Sequence, residues 1–476
     1  MNESAPPGNE IRPPANSAAA DSATAPAAVE TAPPTPAHKL DPYLGTLWRN
    51  RDFRVLWISL TITHFGGQVT FLALPLTAAL LLHATPTQMG ILTMMQALPY
   101  TLFGLFTGVL VDRSRKLPLV IWADIGRGIV LLLVPLAAWL GFLGMPILYL
   151  ASFFVGLGGI IGWAAYQVFM TERVGRPNLV EANSRIALSD SSAQLVGPGI
   201  AGALIHALTA PIAILVDAVA FFISAAMLGG IKSRESDAPK QTGHATWKSI
   251  WGDAKEGLML IWHNPILRAI SWGLALWQLL RHAYAAIVIL FMARDLELSA
   301  GKIGALYMLA GVGFLLASFA CQRLNDRFGV GRVMLSGIAM TAVSWLLIAL
   351  IVKSEYAFLM LGAGLFLFDF GAMLFFINYL SLRQSATPDH LLGRVTSTMI
   401  FLALSLAPFG SILGGLIGDW LGLRATIGIC GVGAALLVIA QFKTTPLPAM
   451  IKLPTPESHP GPTPAKPRTP GTEISA

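Results

Sequence analysis

The sequence is poor in charge and in cysteine. Only 12% of its 476 residues are charged, about half the share of roughly 25% found in soluble domains. Cys321 and Cys430 are the only cysteines, so at most one disulfide can form and no Cys/His metal-binding spacing exists. The sequence also lacks a G-x-x-x-x-G-K-[ST] phosphate loop and any nucleophile–base constellation. We therefore expect no enzyme activity, no cofactor and no metal.

Long apolar runs take the place of charge. The chain is 54% hydrophobic, with a mean hydropathy of +0.65. Runs of about 20 or more apolar residues are long enough to cross a membrane. They predict an all-α membrane protein with twelve transmembrane helices at about 54–82, 87–111, 118–140, 145–170, 185–207, 210–231, 267–292, 300–323, 331–352, 356–383, 394–418 and 422–442.

The connection GVLVDRSRK at 108–116 defines the two sides of the membrane. It carries Asp112, Arg113, Arg115 and Lys116, and a charge at the bilayer centre costs about 2.5–3.5 kcal/mol on insertion scales. This turn must therefore lie in water, and its basic residues predict the cytoplasmic side. All but six of the 32 Lys and Arg fall on that side; the exceptions are Arg127, Arg281, Arg294, Lys302, Lys353 and Arg424. Both termini are thus predicted to be cytoplasmic.

The chain contains an internal repeat with an offset of 214 residues. Four residues of the first half recur in the second: Asn50, Arg54, Asp112 and Arg113 correspond to Asn264, Arg268, Asp326 and Arg327. The repeat predicts two six-helix bundles, at 47–231 and 264–442, related by an axis along the membrane normal.

Three segments lie outside the bundles. Residues 1–46 and 443–476 are rich in Pro and small residues and are predicted to be disordered cytoplasmic tails. The linker at 232–263 contains WKSIWGDAKEGLMLIW, whose apolar residues recur at helical spacing. This pattern predicts an amphipathic helix on the inner membrane surface.

Several motifs resemble those of the major facilitator superfamily. Gly108, Asp112 and Arg113 match its G-x-x-x-D-R signature, although the glycine that follows in the superfamily is missing. The stretches ADIGR at 123–127, AYQVFMTERVGRPNLVEANSR at 165–185, AQLVGPGIAG at 193–202 and TPDHLLGRVTS at 387–397 are similar to the transmembrane secretion effector branch, which contains the enterobactin exporter and macrolide efflux proteins. The resemblance covers about 50–440 and implies export. The arginine that many drug exporters place in the fourth helix is absent from LASFFVGLGG at 150–159.

The resemblance also implies two structural roles. Gly108, Asp112 and Arg113, with Asp326 and Arg327 in the repeat, would form a cytoplasmic latch that stabilises the outward-facing state. Gly197, Pro198 and Gly202 resemble the exporter pattern G-x-x-x-G-P-x-x-G-G. They would make the fifth helix a packing face against the other half, the alternative being an ordinary proline kink.

In this superfamily the first, fourth, seventh and tenth helices line the substrate cavity. The corresponding candidates share an aromatic or polar character that suits a large apolar or aromatic substrate. They are His64, Gln68, Trp163, Tyr166, Gln167, Trp277, Tyr284, Phe366 and Met373.

Five ionisable residues inside the predicted spans are candidates for proton coupling. Arg281 and Asp369 lie about thirteen residues from a membrane face, or roughly 20 Å at 1.5 Å per residue, so each needs a partner or water. Asp369 would titrate against Arg281 in a central cavity, unless the two form a static ion pair. Asp124 and Arg127 form either a local pair or a coupling site. Asp217 has no obvious partner and is either a proton site or in contact with the outer water.

We therefore predict a monomeric, multi-pass exporter of the bacterial cytoplasmic membrane, driven by protons. Its partners would be a small organic substrate (a siderophore or a lipophilic drug), the proton and the lipid bilayer, with no nucleic acid. The alternatives are a lysophospholipid transporter and a non-transporting sensor or scaffold that uses its tails.

Overall fold

The computed structural model describes residues 46–175, 178–231, 247–388 and 391–454. The predicted N-terminal tail, apart from Thr46, and most of the C-terminal tail lie outside these residues. The described chain folds into the α-helices α1 (Arg51–Leu76), α2 (Pro86–Arg113), α3 (Lys116–Trp139), α4 (Met145–Val174), α5 (Leu179–Leu208), α6 (Ala210–Gly229), α7 (Trp247–His263), α8 (Pro265–Leu290), α9 (Ala300–Phe328), α10 (Val330–Leu350), α11 (Ala357–Ser385), α12 (Leu392–Ser405), α13 (Ala407–Leu421) and α14 (Leu423–Thr444).

The predicted twelve-helix membrane fold is confirmed. Within the described chain, ten helical segments are long and apolar enough to cross a membrane, with α12 and α13 forming one crossing. α2 is the eleventh and bends by 66° between Pro86–Gly104 and Phe106–Arg113. The twelfth, α5, has 30 residues, but its charged residues Glu181, Arg185 and Asp190 make it less apolar. We call the end of the bundle that carries the turn at 112–116 the basic end, and the other the opposite end.

The repeat is visible in how equivalent helices begin. The Asn50 Oδ1 accepts hydrogen bonds from the backbone N–H groups of Asp52 and Phe53, at 3.0 and 3.3 Å. Asn264, 214 residues later, caps α8 in the same way, accepting from Ile266 and Leu267 at 2.9 and 3.2 Å. Each cap satisfies N–H groups that the first helical turn leaves without partners.

The same two helices also end alike. α1 continues into a π-helical turn at Thr77–Leu81, and α8 into one at Phe291–Asp295. Both turns lead to a residue with positive φ, His83 at 49° and Glu297 at 51°. Because these features again lie 214 residues apart, the two halves share backbone geometry as well as sequence.

The halves meet through two pairs of glycines near the opposite end. A Cβ on Gly202 of α5 would lie 2.7 Å from the Ala300 carbonyl oxygen and 2.9 Å from the Gly304 Cα of α9. A Cβ on Gly90 of α2 would lie 3.0 Å from the Gly415 Cα of α13. In both places a side chain would collide with backbone, so glycine is what lets the helices approach. Gly90 and Gly304 are repeat equivalents at the 214-residue offset.

The linker helix and part of the C-terminal tail pack against the second half. A Cβ on Gly257 of α7 would lie 2.6 Å from the Thr398 Oγ1 of α12, while Leu258, Met259 and Trp262 are exposed. The predicted tail boundary at 443 is corrected, because α14 extends to Thr444 and Leu447 is fully buried. The N–H of Gly331 donates to the Met450 carbonyl at 3.1 Å, so this stretch contacts the start of α10.

Replacing Gly202 by valine tests the glycine contact. The added side chain must push α5 away from Ala300 and Gly304, and overpacking of this kind lowers the free energy of unfolding by about 1–3 kcal/mol. Thermal unfolding in detergent measures the loss. Ala203→Val, at an exposed position on the same helix, is the matched control; equal melting of the two variants would contradict the close approach.

Candidate functional site

A cavity of about 250 Å³ lies inside the N-terminal half, between α1, α2, α3, α4 and α6. We call it the N-half cavity. It lies towards the basic end, because its α3 and α6 residues are close to the turn at 112–116 and the end of α6. Its wall contains five of the predicted site residues, His64, Asp124, Arg127, Trp163 and Tyr166. The sequence analysis did not single out Ser59, Thr63, Tyr100 or Ser224, which also line it.

Asp124 and Arg127 form an ion pair across one turn of α3. Asp124 is only 2% exposed, and its other carboxylate oxygen accepts a hydrogen bond of 2.7 Å from the Ser224 hydroxyl of α6. The Arg127 guanidinium also lies 4.2 Å from the centre of the Phe221 ring. Both charges are thus compensated, as buried charges must be to remain ionised.

Two glycines of α4 make room for the Arg127 side chain. A Cβ on Gly158 would lie 2.7 Å from the Arg127 Cγ, and one on Gly162 would lie 3.1 Å from a guanidinium nitrogen. α4 has no arginine at 150–159, but the Arg127 guanidinium of α3 lies against the surface of α4. The sequence signal that could have indicated this arrangement is the pair of glycines four residues apart in α4, Gly158 and Gly162.

The remaining wall of the N-half cavity is aromatic and polar. The Trp163 and Tyr166 rings stack nearly parallel, with centroids 6.1 Å apart and an angle of 11°. The His64 Nδ1 lies 3.7 Å from an Asp190 carboxylate oxygen of α5. Trp163 is 47% exposed, so one of its faces is free for contact. The other two candidates from these helices are elsewhere: Gln68 packs against Gly197, and Gln167 is exposed on α4.

In the C-terminal half, the predicted aromatic cavity residues are packed in the core. Trp277 is 6% exposed and donates a hydrogen bond of 3.3 Å to the Thr341 hydroxyl. Tyr284 is 4% exposed and packs against Trp345, with ring centroids 5.2 Å apart. The placement of these two side chains on a cavity wall is therefore corrected. Among the other candidates, Phe366 stacks on Phe370, and Met373 packs against the hydrophobic cluster around Cys321.

Arg281 and Asp369 are neighbours, but in this conformation their charged atoms are not within ion-pair distance. Both side chains are partly exposed, and their charges interact. The ion pairs within 4 Å in the described chain do not include them. Tyr307 of α9, which the sequence analysis missed, lies near both and contacts Phe71 of the other half at 5.5 Å between ring centroids.

Asp217 has a partner that the sequence did not reveal. It is 1% exposed, and one of its carboxylate oxygens accepts a hydrogen bond from the Thr70 hydroxyl of α1. It therefore does not contact the outer water, which removes one of the two sequence-based interpretations.

The four charged residues of the predicted latch lie on the surface in this conformation. Asp112, Arg113, Asp326 and Arg327 are exposed, and within the described chain none of them forms an ion pair within 4 Å. Of the exporter-pattern residues, Gly202 contacts the other half, whereas Gly197 packs within its own half against Gln68.

A family model described as Major Facilitator Superfamily matches residues 56–283 and 278–473. The chain belongs to this superfamily. As a member of it, the chain is a membrane transporter whose two halves and twelve helices are those of the family fold.

Similar proteins agree with this assignment. The chain is 27% identical over 397 residues to an uncharacterized MFS-type transporter, y4rN, of Sinorhizobium fredii, covering 82% of this chain and 94% of that one. It is 24% identical over 389 residues to the multidrug efflux pump Tap of Mycolicibacterium fortuitum, covering 79% and 92%. The crystal structure of a bacterial homologue of the iron transporter ferroportin, in an inward-facing state, superposes with a TM-score of 0.64 at 16% identity, covering 84% and 99%.

A double-mutant cycle on Asp124 and Arg127 tests the buried ion pair. Removing one partner leaves an uncompensated charge, so Arg127→Met and Asp124→Asn should each lower the free energy of unfolding, by about 3–5 kcal/mol for a fully buried pair. The double variant should lose less than the sum of the two. Chemical unfolding in mixed micelles measures the coupling, with the partly exposed Arg173–Asp52 pair as control. Additive losses would show that the two charges do not depend on each other.

Proposed function

We propose that this transporter is a proton-coupled exporter of a small organic molecule in the bacterial cytoplasmic membrane, working by alternating access. The N-half cavity is the observation that carries the proposal. It places the Asp124–Arg127 pair and His64 beside the exposed Trp163 side chain. Ionisable groups inside a membrane are costly, and where they occur they mark substrate or proton pathways.

The conformation is proposed from the two ends of the molecule, whereas export is proposed from the resemblance to exporters and from the relative Tap. The basic end faces the cytoplasm by the positive-inside rule. The glycine contacts Gly202–Gly304 and Gly90–Gly415 hold the halves together at the opposite end, while the latch charges at the basic end are exposed and outside ion pairs in the described chain. This is the arrangement of an inward-facing state, in which a cytoplasmic substrate can reach the N-half cavity.

A lipophilic drug is the substrate class with most support. Trp163 and Tyr166 offer stacked aromatic surface, and the relative Tap is described as a multidrug efflux pump. A cavity of about 250 Å³ is slightly smaller than the roughly 300–1,000 Å³ of drug-sized sites. It would therefore hold one group of the substrate, with the rest lying between the halves. Siderophore export remains a second substrate class, resting on the resemblance to the enterobactin exporter branch.

Coupling needs a carboxylate that exchanges its proton as the substrate moves. Asp369 is suited to this role because Arg281 and Tyr307 are close enough to interact with it without locking it in an ion pair. A proton on Asp369 frees the Arg281 charge, and loss of that proton restores the attraction. The protonated and deprotonated forms of Asp369 therefore differ in the attraction between α8 and α11. This difference lets proton binding bias the conformational equilibrium.

Transport in everted membrane vesicles tests the proposal, with ethidium as the probe. Ethidium should accumulate under a proton gradient and stop accumulating when nigericin dissipates it. Asp369→Asn should abolish the gradient-driven component, because an amide cannot exchange a proton. Glu355→Gln, an exposed carboxylate at the opposite end, is the control.

Accumulation of ethidium at the wild-type rate in the Asp369→Asn vesicles would refute the role of Asp369 in coupling. A chain lacking residues 1–45 and 455–476 should transport normally. Loss of transport on this deletion would show that transport depends on the tails, whereas absence of ethidium transport by the full chain would favour the sensor or scaffold alternative.

The latch makes a separate prediction. If Asp112 bridges helix ends in the outward-facing state, Asp112→Asn weakens that state alone and slows the return of the empty transporter. The maximal rate of ethidium transport should fall while its half-saturating concentration stays close to that of the wild type. A variant that cycles normally but binds ethidium more weakly would contradict this role.

A further inference from the structure

Asp217 is a buried acid that the proposed transport mechanism does not use. It is the eighth residue of α6, about 10 Å from the opposite end at 1.5 Å per residue. Its side chain is 1% exposed. The Thr70 hydroxyl donates to its Oδ2, and its Oδ1 has no hydrogen-bond partner in the described chain.

The elements around Asp217 provide no cation to balance an ionised carboxylate. α3 contributes Arg127 and Asp124, whose charges reach Asp217, but these two already pair with each other. α1 contributes Thr70 and, further along, His64; α5 contributes no charge that interacts with Asp217 in the described chain. An ionised carboxylate that is desolvated without a partner is strongly unfavourable, whereas the acid form is neutral and can donate its proton.

The space for this carboxyl group depends on a glycine of the neighbouring helix. A Cβ on Gly66 of α1 would collide with the Asp217 Oδ1 and would lie 3.0 Å from the Ala220 Cβ. α1 therefore approaches α6 so closely that only glycine fits at this level. The unpartnered oxygen is enclosed by backbone and small side chains, which form a defined site of carboxyl size.

A second, smaller cavity, which we call the outer cavity, lies beside Thr70 and nearer the opposite end than the N-half cavity does. It lies between α1, α2 and α4 and has a volume of about 30 Å³, which is room for about two water molecules at 10–15 Å³ each. Its polar wall consists of Thr70, Thr93, Gln96 and Ser152, and Gln96 is exposed. Thr70 thus lines this outer cavity and also donates to Asp217.

We infer that Asp217 is a proton-binding site supplied from the opposite end through the outer cavity and the Thr70 hydroxyl. A hydronium ion in the outer cavity gives a proton to the Thr70 Oγ1, whose own proton passes to the Asp217 Oδ2. The hydronium becomes water and the hydroxyl is regenerated, so one proton moves and no electrons are transferred. The site deepens the proposed proton-coupled function, on which it rests, by giving protons a route inside the N-terminal half that is separate from the substrate path.

Infrared difference spectroscopy of the purified protein in lipid tests the site without any substrate. The protonated carboxyl group of Asp217 should give a C=O stretching band at neutral pH that is absent in Asp217→Asn. Thr70→Val should shift the band to higher frequency, because the hydrogen bond is lost, and Thr70→Ser should restore it. Thr107→Val is the matched control, since the Thr107 hydroxyl is buried and, among the described residues, donates to the Phe103 carbonyl of its own helix. A carboxyl band that survives in Asp217→Asn overturns the assignment.

Ethidium transport in proteoliposomes tests the role of the site. Asp217→Asn should lose accumulation driven by a pH gradient while keeping downhill equilibration, and Thr70→Val should slow accumulation. Gradient-driven accumulation at the wild-type rate in both variants would overturn the proton route. If the proposed function is wrong, the result differs: the wild type itself would not accumulate ethidium under a pH gradient, whether or not the infrared band of Asp217 is present.

Discussion

The fold depends on the cost of leaving a polar group without a partner in hydrocarbon. Each membrane-spanning helix satisfies its own backbone groups, and the side chains of Asn50 and Asn264 satisfy the first N–H groups of two equivalent helices. The same cost explains why the polar groups inside the bundle are not scattered. Asp124 has Arg127 and Ser224, and Asp217 has Thr70. Polar groups thus gather where several helices can partner them, and our proposals concern these places.

Association of the two halves has a different physical basis. Lipid tails are as apolar as leucine, so the hydrophobic effect does not hold helices together in a membrane, and close packing of backbones does. The contacts Gly202–Gly304 and Gly90–Gly415 are of this kind. They join α5 to α9 and α2 to α13 at equivalent positions of the repeat. Each half therefore contacts the other through its second and its fifth membrane-spanning helix.

The repeat fails at the cavity. The residues 214 positions after Asp124 and Arg127 are Ile338 and Thr341, both fully buried. Thr63, which lines the N-half cavity, corresponds to Trp277, which donates to Thr341 and fills the equivalent space in the second half. The two halves therefore share a backbone fold but differ in the side chains that fill their interiors. The N-terminal half has an open polar cavity, whereas the C-terminal half has a packed aromatic core with Arg281 and Asp369 beside it.

The sequence by itself determined the twelve spans, the basic end and the repeat, because hydropathy, loop charge and helix caps are local properties. It also identified His64, Asp124, Arg127, Trp163 and Tyr166 as site candidates without showing that they surround one cavity. Only the tertiary structure decided that Trp277 and Tyr284 are buried in the core, that Arg281 and Asp369 are neighbours outside ion-pair distance, and that Thr70 reaches Asp217. The reason is that a side chain's environment depends on which helix faces it. In a membrane protein, where most faces are equally apolar, the sequence of one helix does not identify its neighbour.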